Sequence, residues 1–552
     1  MSHTSWQPTS PVPTTWRPDP TALPTSPATP VEPSRVPPPT ARRQPVNDPD
    51  PTVHPGEIRR RRRRKESRGF DPRQVGWRIG TGFEPRGGEL WCPWDRTAGV
   101  IGPQGSGKTL DLLTPALLGA PGAALVTLTK LDDLLLTLDE RSKRGPCVVL
   151  DPFGMAPGVT ELIWDPVDGC VDSLVAERRA KAFTAGTIKG ASHSGAGDGA
   201  ARFYAGEAAK VLQCFFHAAA LVGADIDTVM EWVGQPLASQ KPIEILAEHP
   251  MAAPSWDGLL NGALHGDERT AGNTITTVQQ ALALFFQPEI RRRCVPSPGR
   301  PPIDVAETVR QGGTFYLLGR EDPYASASPL MTAVAEHILD TALAMANASP
   351  WGKLCPPMLS CLDEMPSTAP LPTLVTRMAN ERALGLSFIW ASQTRRQLDT
   401  IFGLDQARAL FGLTNVLVMF GGSKDVEFNK EVSDLVGPVR VARASWNLGQ
   451  HGGRTASGED IPIITPDEVR QIPTRRALVI AENAKPLIAT VDRCIDGKNG
   501  KRLLAQQKAR RDAIGHRREV VVTPQARRFE ALAAARRTGL LPDTSTDTYE
   551  EE

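Results

Sequence analysis

Eight residues read G-x-x-x-x-G-K-[ST]: Gly102-Pro103-Gln104-Gly105-Ser106-Gly107-Lys108-Thr109. They follow the short apolar stretch Thr97–Ile101, which reads as a strand, and precede Leu110–Leu118, which reads as a helix. In that context glycines let successive backbone N–H groups turn inward onto an anion, and the helix presents its positive end to the same point. The run therefore predicts a phosphate-binding loop, Gly102–Thr109 with Leu110 beside it as the nucleotide-contacting segment. Lys108 would neutralise β- and γ-phosphate charge and Thr109 would offer its hydroxyl to Mg²⁺. The expected ligand is ATP with Mg²⁺, and the expected activity is ATP hydrolysis.

Such a site needs an acidic residue at the end of a second buried strand. Met358–Leu362 is apolar and runs into Asp363-Glu364. Asp363 would hold Mg²⁺ through its water shell, and Glu364 would act as general base on the attacking water. The next strand, Leu386–Ala391, leads to Ser392-Gln393. A polar amide there would lie beside the γ-phosphate and sense hydrolysis; the alternative is that Gln393 caps the helix beginning at Thr394. Arg377 and Arg382 precede that strand and are candidates for a cation donated across a subunit interface, a device that contributes on the order of 10³–10⁵ in rate. Arg382 is favoured because no acidic partner is evident near it; the alternative is a solvated helix face.

The strand and helix signals alternate from about residue 76 to 170 and again from 296 to 497, the pattern of a parallel sheet covered on both faces. Strands are expected at Ala123–Leu128, Cys147–Leu150, Thr314–Leu318 and Val416–Phe420, with Ala477–Ala481 and Leu487–Val491 closing the sheet. Between 171 and 295 helix follows helix, and this run is expected to be an all-α insertion domain. Ala208, Val211, Leu212, Phe215 and Phe216 share one of its helical faces. Residues 1–75 form a Pro-rich tail, expected to be disordered, with a basic run at Arg59–Lys65. Residues 498–552 form a basic helical tail ending in Glu550-Glu551-Glu552. The basic run is open to three readings: contact with DNA phosphates, contact with anionic lipid, or a solvated charge run. Eight scattered cysteines with no C-x-x-C pair argue for a reducing compartment and no structural zinc. No secretory leader and no run of eighteen apolar residues is present, so the expected location is the cytoplasm without a membrane span. The histidines show no ligand spacing, and the tryptophans between Trp77 and Trp94 read as packing residues.

The ordered set of motifs resembles the TraG/TraD class of type IV coupling proteins, with actinobacterial members especially similar. The set begins with Gly102–Thr109, Val126-Thr127-Leu128-Thr129-Lys130, and Arg144-Gly145-Pro146 leading to Leu150-Asp151-Pro152. It continues with Trp164-Asp165-Pro166, Gly313–Leu317, Leu362-Asp363-Glu364, and Gly385-Leu386 leading to Ser392-Gln393. It spans about residues 76–495. The resemblance implies a RecA-like nucleotide-binding domain interrupted by an all-α domain, and a homo-hexamer around a DNA-carrying pore. It also implies partners in the relaxase or relaxosome and in the type IV secretion channel. Gln393 takes the position of the family's Gln after the sensor strand, and Arg382 that of the Arg shortly before it. Two departures stand out. Members of the class begin with transmembrane helices, whereas this chain begins with the Pro-rich tail, so attachment to the cytoplasmic face of the plasma membrane would be indirect, electrostatic or absent. Met365-Pro366 also follows the acidic pair where the family often has Phe or Ile and a small residue. Two other functions use the same motifs: a coupling ATPase for secreted proteins, and a nucleotide-gated docking protein with little turnover.

Overall fold

The computed structural model describes residues 71–187, 196–319, 326–446 and 454–515. The Arg59–Lys65 run and the acidic chain end lie outside these residues.

Strands β1 (Gly76–Glu84), β2 (Glu89–Pro93) and β3 (Ala98–Ile101) open the fold. The chain then passes through the phosphate-loop sequence into a wide π-helical turn, Lys108–Leu113, and helix α1 (Thr114–Gly119). β4 (Ala124–Leu128), α2 (Leu131–Arg141) and β5 (Cys147–Leu150) follow. Seven α-helices come next without an intervening strand among the described residues. They are α3 (Ser173–Ala185), α4 (Ala196–Leu221), α5 (Ile226–Gly234), α6 (Lys241–Glu248), α7 (Trp256–His265), α8 (Glu268–Ala281) and α9 (Pro288–Cys294). α10 (Val305–Arg310) leads back to the sheet through β6 (Thr314–Leu318), α11 (Ser328–Ala348) and β7 (Met358–Leu362). The short α12 (Met365–Thr368) and α13 (Leu374–Asn380) precede β8 (Leu386–Ser392), α14 (Arg395–Phe402), α15 (Leu404–Gly412) and β9 (Val416–Phe420). Helix α16 (Val426–Val436) and the hairpin β10 (Pro438–Trp446) and β11 (Arg454–Pro462) follow. Then come α17 (Pro466–Arg470), β12 (Arg476–Ala481), β13 (Leu487–Thr490) and α18 (Gly497–Gly515).

Eleven strands form one sheet in the order β2-β1-β13-β12-β9-β3-β8-β7-β4-β6-β5. From β9 to β5 every neighbouring pair is parallel, and from β9 to β2 every pair is antiparallel. The parallel strands are buried on both faces, so each reads in sequence as a near-continuous apolar run. Their alternate side chains enter two apolar clusters, one on each side of the sheet. Ile101, Leu125, Phe315 and Leu317 face the helices α3–α11. Val100, Val126, Tyr316 and Leu318 face α1, α2 and the tryptophans Trp77 and Trp94. Helices α3–α9 do not have a separate core: Val211, Leu212, Phe215 and Phe216 of α4 belong to the same cluster as the sheet residues they face.

The sheet is wider than the sequence suggests. β12 and β13 were expected to close it, but β1 and β2 extend it by two strands, with Thr81 opposite Thr490 and Trp77 opposite Cys92. The hairpin β10–β11 was also not expected. It forms a separate two-stranded ribbon, Pro438 pairing with Pro462 at its base.

Candidate nucleotide-binding site

Parallel strands deliver their C-terminal ends to one edge of the sheet, and there the motifs meet. β3 ends at the glycine-rich loop, with β8 on one side and β7 one strand further out. The loop turns through two left-handed glycines, Gly105 at φ +79° and Gly107 at φ +107°. Gly107 admits no side chain, because a Cβ there would lie 2.2 Å from Asp111 Oδ2. Lys108 is buried, and its ammonium donates to the carbonyls of Gly102 (2.7 Å) and Pro103 (3.3 Å). Ser106 Oγ is buried in the loop without a hydrogen-bond partner. A cradle of left-handed glycines with an orphaned hydroxyl and a folded-back lysine is suited to an anion with several oxygens.

β7 carries the acidic pair to this loop. Asp363 is 7% exposed, and its Oδ2 accepts a 2.6 Å hydrogen bond from the Thr109 hydroxyl. Its backbone carbonyl accepts from Thr127 at the end of β4 and from Thr368, which fixes the strand end from two sides. Burial pushes the Asp363 carboxyl above the usual range, against the pull of the Thr109 hydroxyl and the Lys108 charge. Glu364 stands in the left-handed region at φ +46°, uncommon for a residue with a side chain. That geometry turns its carboxylate to within 3.6 Å of Lys108 Nζ. Its affinity for a proton is raised, by burial first, with Lys108 opposing and Asp363 adding. Gln393, at the end of β8, stands beside the same carboxylate and lowers its proton affinity. The hydroxyl of Thr109 and the carboxylate of Asp363 are the donor types that hold Mg²⁺, a hard cation preferring oxygen.

The cap of α14 is Thr394. Its side chain accepts from Gln397 N, and the Gln397 side chain accepts from Thr394 N. Gln393 is therefore not the capping residue; its backbone N–H donates to the Gln397 side chain at 3.1 Å, and it stands beside Glu364.

The two arginines are placed otherwise. Arg377 is no solvated residue: its side chain is 4% exposed among Glu336 (2.7 Å), Asp340 (2.5 Å) and Glu381 (3.0 Å). Burial alone would make its proton easier to lose, but the three carboxylates overcome that and hold it more tightly. Arg382 starts a 3₁₀ turn before β8, at the end of the sheet opposite the glycine-rich loop. It donates to Asn415 Oδ1 (3.1 Å) and lies 3.9 Å from the Glu482 carboxylate. The expectation that Arg382 lacks an acidic partner is thus corrected. It does not reach the loop of its own chain.

Two acidic groups near the site lie outside any of the sequence motifs. Asp133, in the first turn of α2, has its carboxyl pushed up to about 6 by burial and by Asp363, with Lys130 opposing. Asp111, in the turn after the loop, is fully buried and bonded to Arg493 at 2.9 Å. Lys130 and Thr127 belong to a stretch that carried the family resemblance, and this was the one signal available for them.

Residues 357–474 match the family of the TraM recognition site of TraD and TraG. No curated protein sequence matches the chain. Among solved structures, the bacterial conjugative coupling protein TrwB in its unbound form aligns with a TM-score of 0.57 at 17% identity, over 80% of this chain and 92% of that one. TrwB with the GTP analogue GDPNP aligns at 0.55 and 19% identity, with the same shares covered. TrwB with ADP and Mg²⁺ aligns at 0.54 and 18% identity, again over 80% and 92%. The fold is therefore the RecA-like P-loop fold of these structures, and the resemblance to TraG/TraD-type coupling proteins is borne out.

Proposed function

We propose that this chain is a Mg²⁺-dependent ATPase of the coupling-protein type, which uses hydrolysis to move DNA into a type IV secretion-like conjugative channel. The observation that carries the reading is the contact of Thr109 with Asp363 at 2.6 Å, with Glu364 beside Lys108, across the one strand that separates β3 from β7. The likeness to TrwB, which binds a nucleotide analogue in one structure and ADP with Mg²⁺ in another, supports the choice of ligand. The match to the TraM recognition site of TraD and TraG supports a relaxosome component as partner.

The residues divide the work. The glycine-rich loop and Lys108 bind the phosphates, the lysine exchanging two backbone carbonyls for phosphate oxygens. Thr109 and Asp363 hold Mg²⁺, which when bound would offset phosphate charge and orient the terminal phosphate. Glu364 takes a proton from the attacking water; its proton affinity, raised by burial against the opposing Lys108 charge, suits that task. Water's oxygen joins the terminal phosphorus as the bond to the ADP oxygen breaks, and the proton leaves through Glu364. Gln393, beside the Glu364 carboxylate and bonded through its backbone to Gln397, reports the state of that carboxylate to α14. Arg382 serves a neighbouring subunit of a homo-hexamer, since its position excludes its own site. Among the described residues no helix is long and apolar enough to cross a membrane.

The test is ATP turnover by the purified chain, with and without single- and double-stranded DNA. Mg²⁺-dependent turnover that rises several-fold with DNA is expected. Nucleotide binding without turnover, under either DNA, would refute the translocase reading.

A further inference from the structure

A carboxylate beneath a phosphate-binding loop is out of place, because it repels the ligand the loop is shaped for. Asp111 is such a carboxylate. Its side chain is fully buried, and its backbone N–H donates to the Gly107 carbonyl at 2.8 Å. Its Oδ2 packs against the α-carbon of Gly107 and has no hydrogen-bond partner. Only its Oδ1 is engaged, by Arg493 Nε at 2.9 Å.

Arg493 arrives from far along the chain, in the segment that leaves the last strand of the sheet. That segment is fastened to the loop's helix at a second point, where Cys494 N donates to the Leu110 carbonyl at 3.0 Å. The Arg475–Asp496 ion pair at 2.7 Å holds the turn that follows. α18 then runs along α2, where Gln506 reaches Glu140 (3.0 Å), Arg510 reaches Asp139 (2.7 Å) and Arg511 pairs with Asp132. Most of these α18 groups are exposed, so each pair contributes little. The Arg493–Asp111 pair is different, because its acid has no access to water.

We infer that Arg493 is a positioning residue for the nucleotide site: it neutralises Asp111 beneath the phosphate-binding loop, so the segment after the sheet is part of how that site is built. The inference rests on the nucleotide reading above. Its signature is dependence on phosphate charge. An uncompensated carboxylate roughly 10 Å from the phosphates, at an effective dielectric of about 20, weakens binding about tenfold per unit of phosphate charge it faces. ATP therefore suffers more than ADP. A general loss of structure would weaken both alike.

The experiment measures equilibrium binding of a non-hydrolysable ATP analogue and of ADP, each with Mg²⁺, to the full chain and to Lys108→Ala, Arg493→Gln and Asp111→Asn/Arg493→Gln. Glutamine keeps a donor for Oδ1 without the charge, which limits the structural damage, and melting temperatures report folding. Arg493→Gln is expected to bind the ATP analogue about tenfold or more weakly, with a smaller loss for ADP. The double variant is expected to recover to within about threefold of the parent, since an amide repels nothing. If Arg493→Gln does not fold, Arg493→Lys, which keeps the charge, and the double variant carry the test: both must bind as the parent does. Binding by Arg493→Gln equal to the parent, equal losses for ATP and ADP, or no recovery in the double variant would overturn the inference. Absence of Lys108-dependent binding in the parent chain would instead overturn the nucleotide reading, and this inference with it.

Discussion

Arg377→Met should cost about 3–5 kcal/mol of folding stability at neutral pH, the usual cost of leaving buried charge without its partner. The figure follows from the surroundings of Arg377. Its guanidinium bonds Glu336 with two nitrogens, at 2.7 and 3.2 Å, and Glu381 with another at 3.0 Å; both side chains are less than a tenth exposed. Asp340, 30% exposed, is the third partner and also lies 3.8 Å from Arg178. Methionine fills most of the arginine's volume, so the cost is mainly electrostatic. It leaves three carboxylates between α11 and α13 facing one another. The pKa of Glu381, already raised by burial with Arg377 opposing, would rise further in the folded variant. A carboxyl whose folded pKa is raised stabilises the fold at low pH and loses that contribution as pH rises through the folded pKa. The penalty should therefore be largest at neutral pH and shrink toward pH 4. Urea denaturation at pH 7 and pH 4.5 measures it through the shift in midpoint. An Arg377→Met chain that unfolds like the parent at pH 7, yet has lost ATP turnover, would refute this reasoning and return Arg377 to a role across a subunit interface.

Other outcomes follow from the site. Lys108→Ala should abolish turnover and sharply weaken ATP binding, whereas Glu364→Gln should bind ATP and fail to cleave it; equal turnover by Glu364→Gln and the parent in a phosphate-release assay would remove Glu364 from its role. Asp133 has a folded pKa of about 6 against an ordinary 3.8, so its ionised form costs stability that is absent below about pH 4 and grows until about pH 6. Asp133→Asn should gain on the parent across that window by at most about 3 kcal/mol in nucleotide-free denaturation curves, and a pH-independent difference would count against the shift. Arg382→Ala subunits mixed with parent subunits should depress turnover by more than their share, while a monomer fully active at high dilution would exclude the trans role.

The parts of the fold that were legible in sequence are those in which burial is continuous. β7 was expected at Met358–Leu362 and lies there, because both of its faces are covered and a pair of acids ends it. The helical face of Ala208, Val211, Leu212, Phe215 and Phe216 is buried for the same reason. β1 was not legible. Its residues, GWRIGTGFE, contain three glycines and an arginine, and its register shifts between Arg78 and Gly80 and again between Gly82 and Glu84. Each irregularity moves the inward-facing residue by one, which destroys the period-two pattern that marks a half-buried strand. β10 and β11 failed differently. Val439, Val441 and Ile461 remain well exposed on the ribbon, so no core selects which residues point inward.

The same distinction holds within the site. The loop and the acidic pair are local motifs, and adjacent residues suffice to suggest what they do. The charges that adjust them are not local. Asp133 meets Asp363 only because β4 and β7 are neighbours, with Thr127 bonded to the Asp363 carbonyl. Asp111 meets Arg493 across most of the chain's length. Arg377 could pass in sequence for a free cation, as Arg382 did, until α11 brought Glu336 and Asp340 against it. Burial raises the proton affinity of Asp363, Glu364, Asp133 and Asp111 alike; cations from other elements oppose it for Asp363, Glu364 and Asp111, and Lys130 at the cap of its own helix opposes it for Asp133. A site of this kind holds its carboxylates in check by long-range pairing. Substitutions far away in sequence, at Lys130 or Arg493, therefore bear on the chemistry as directly as changes in the motifs themselves.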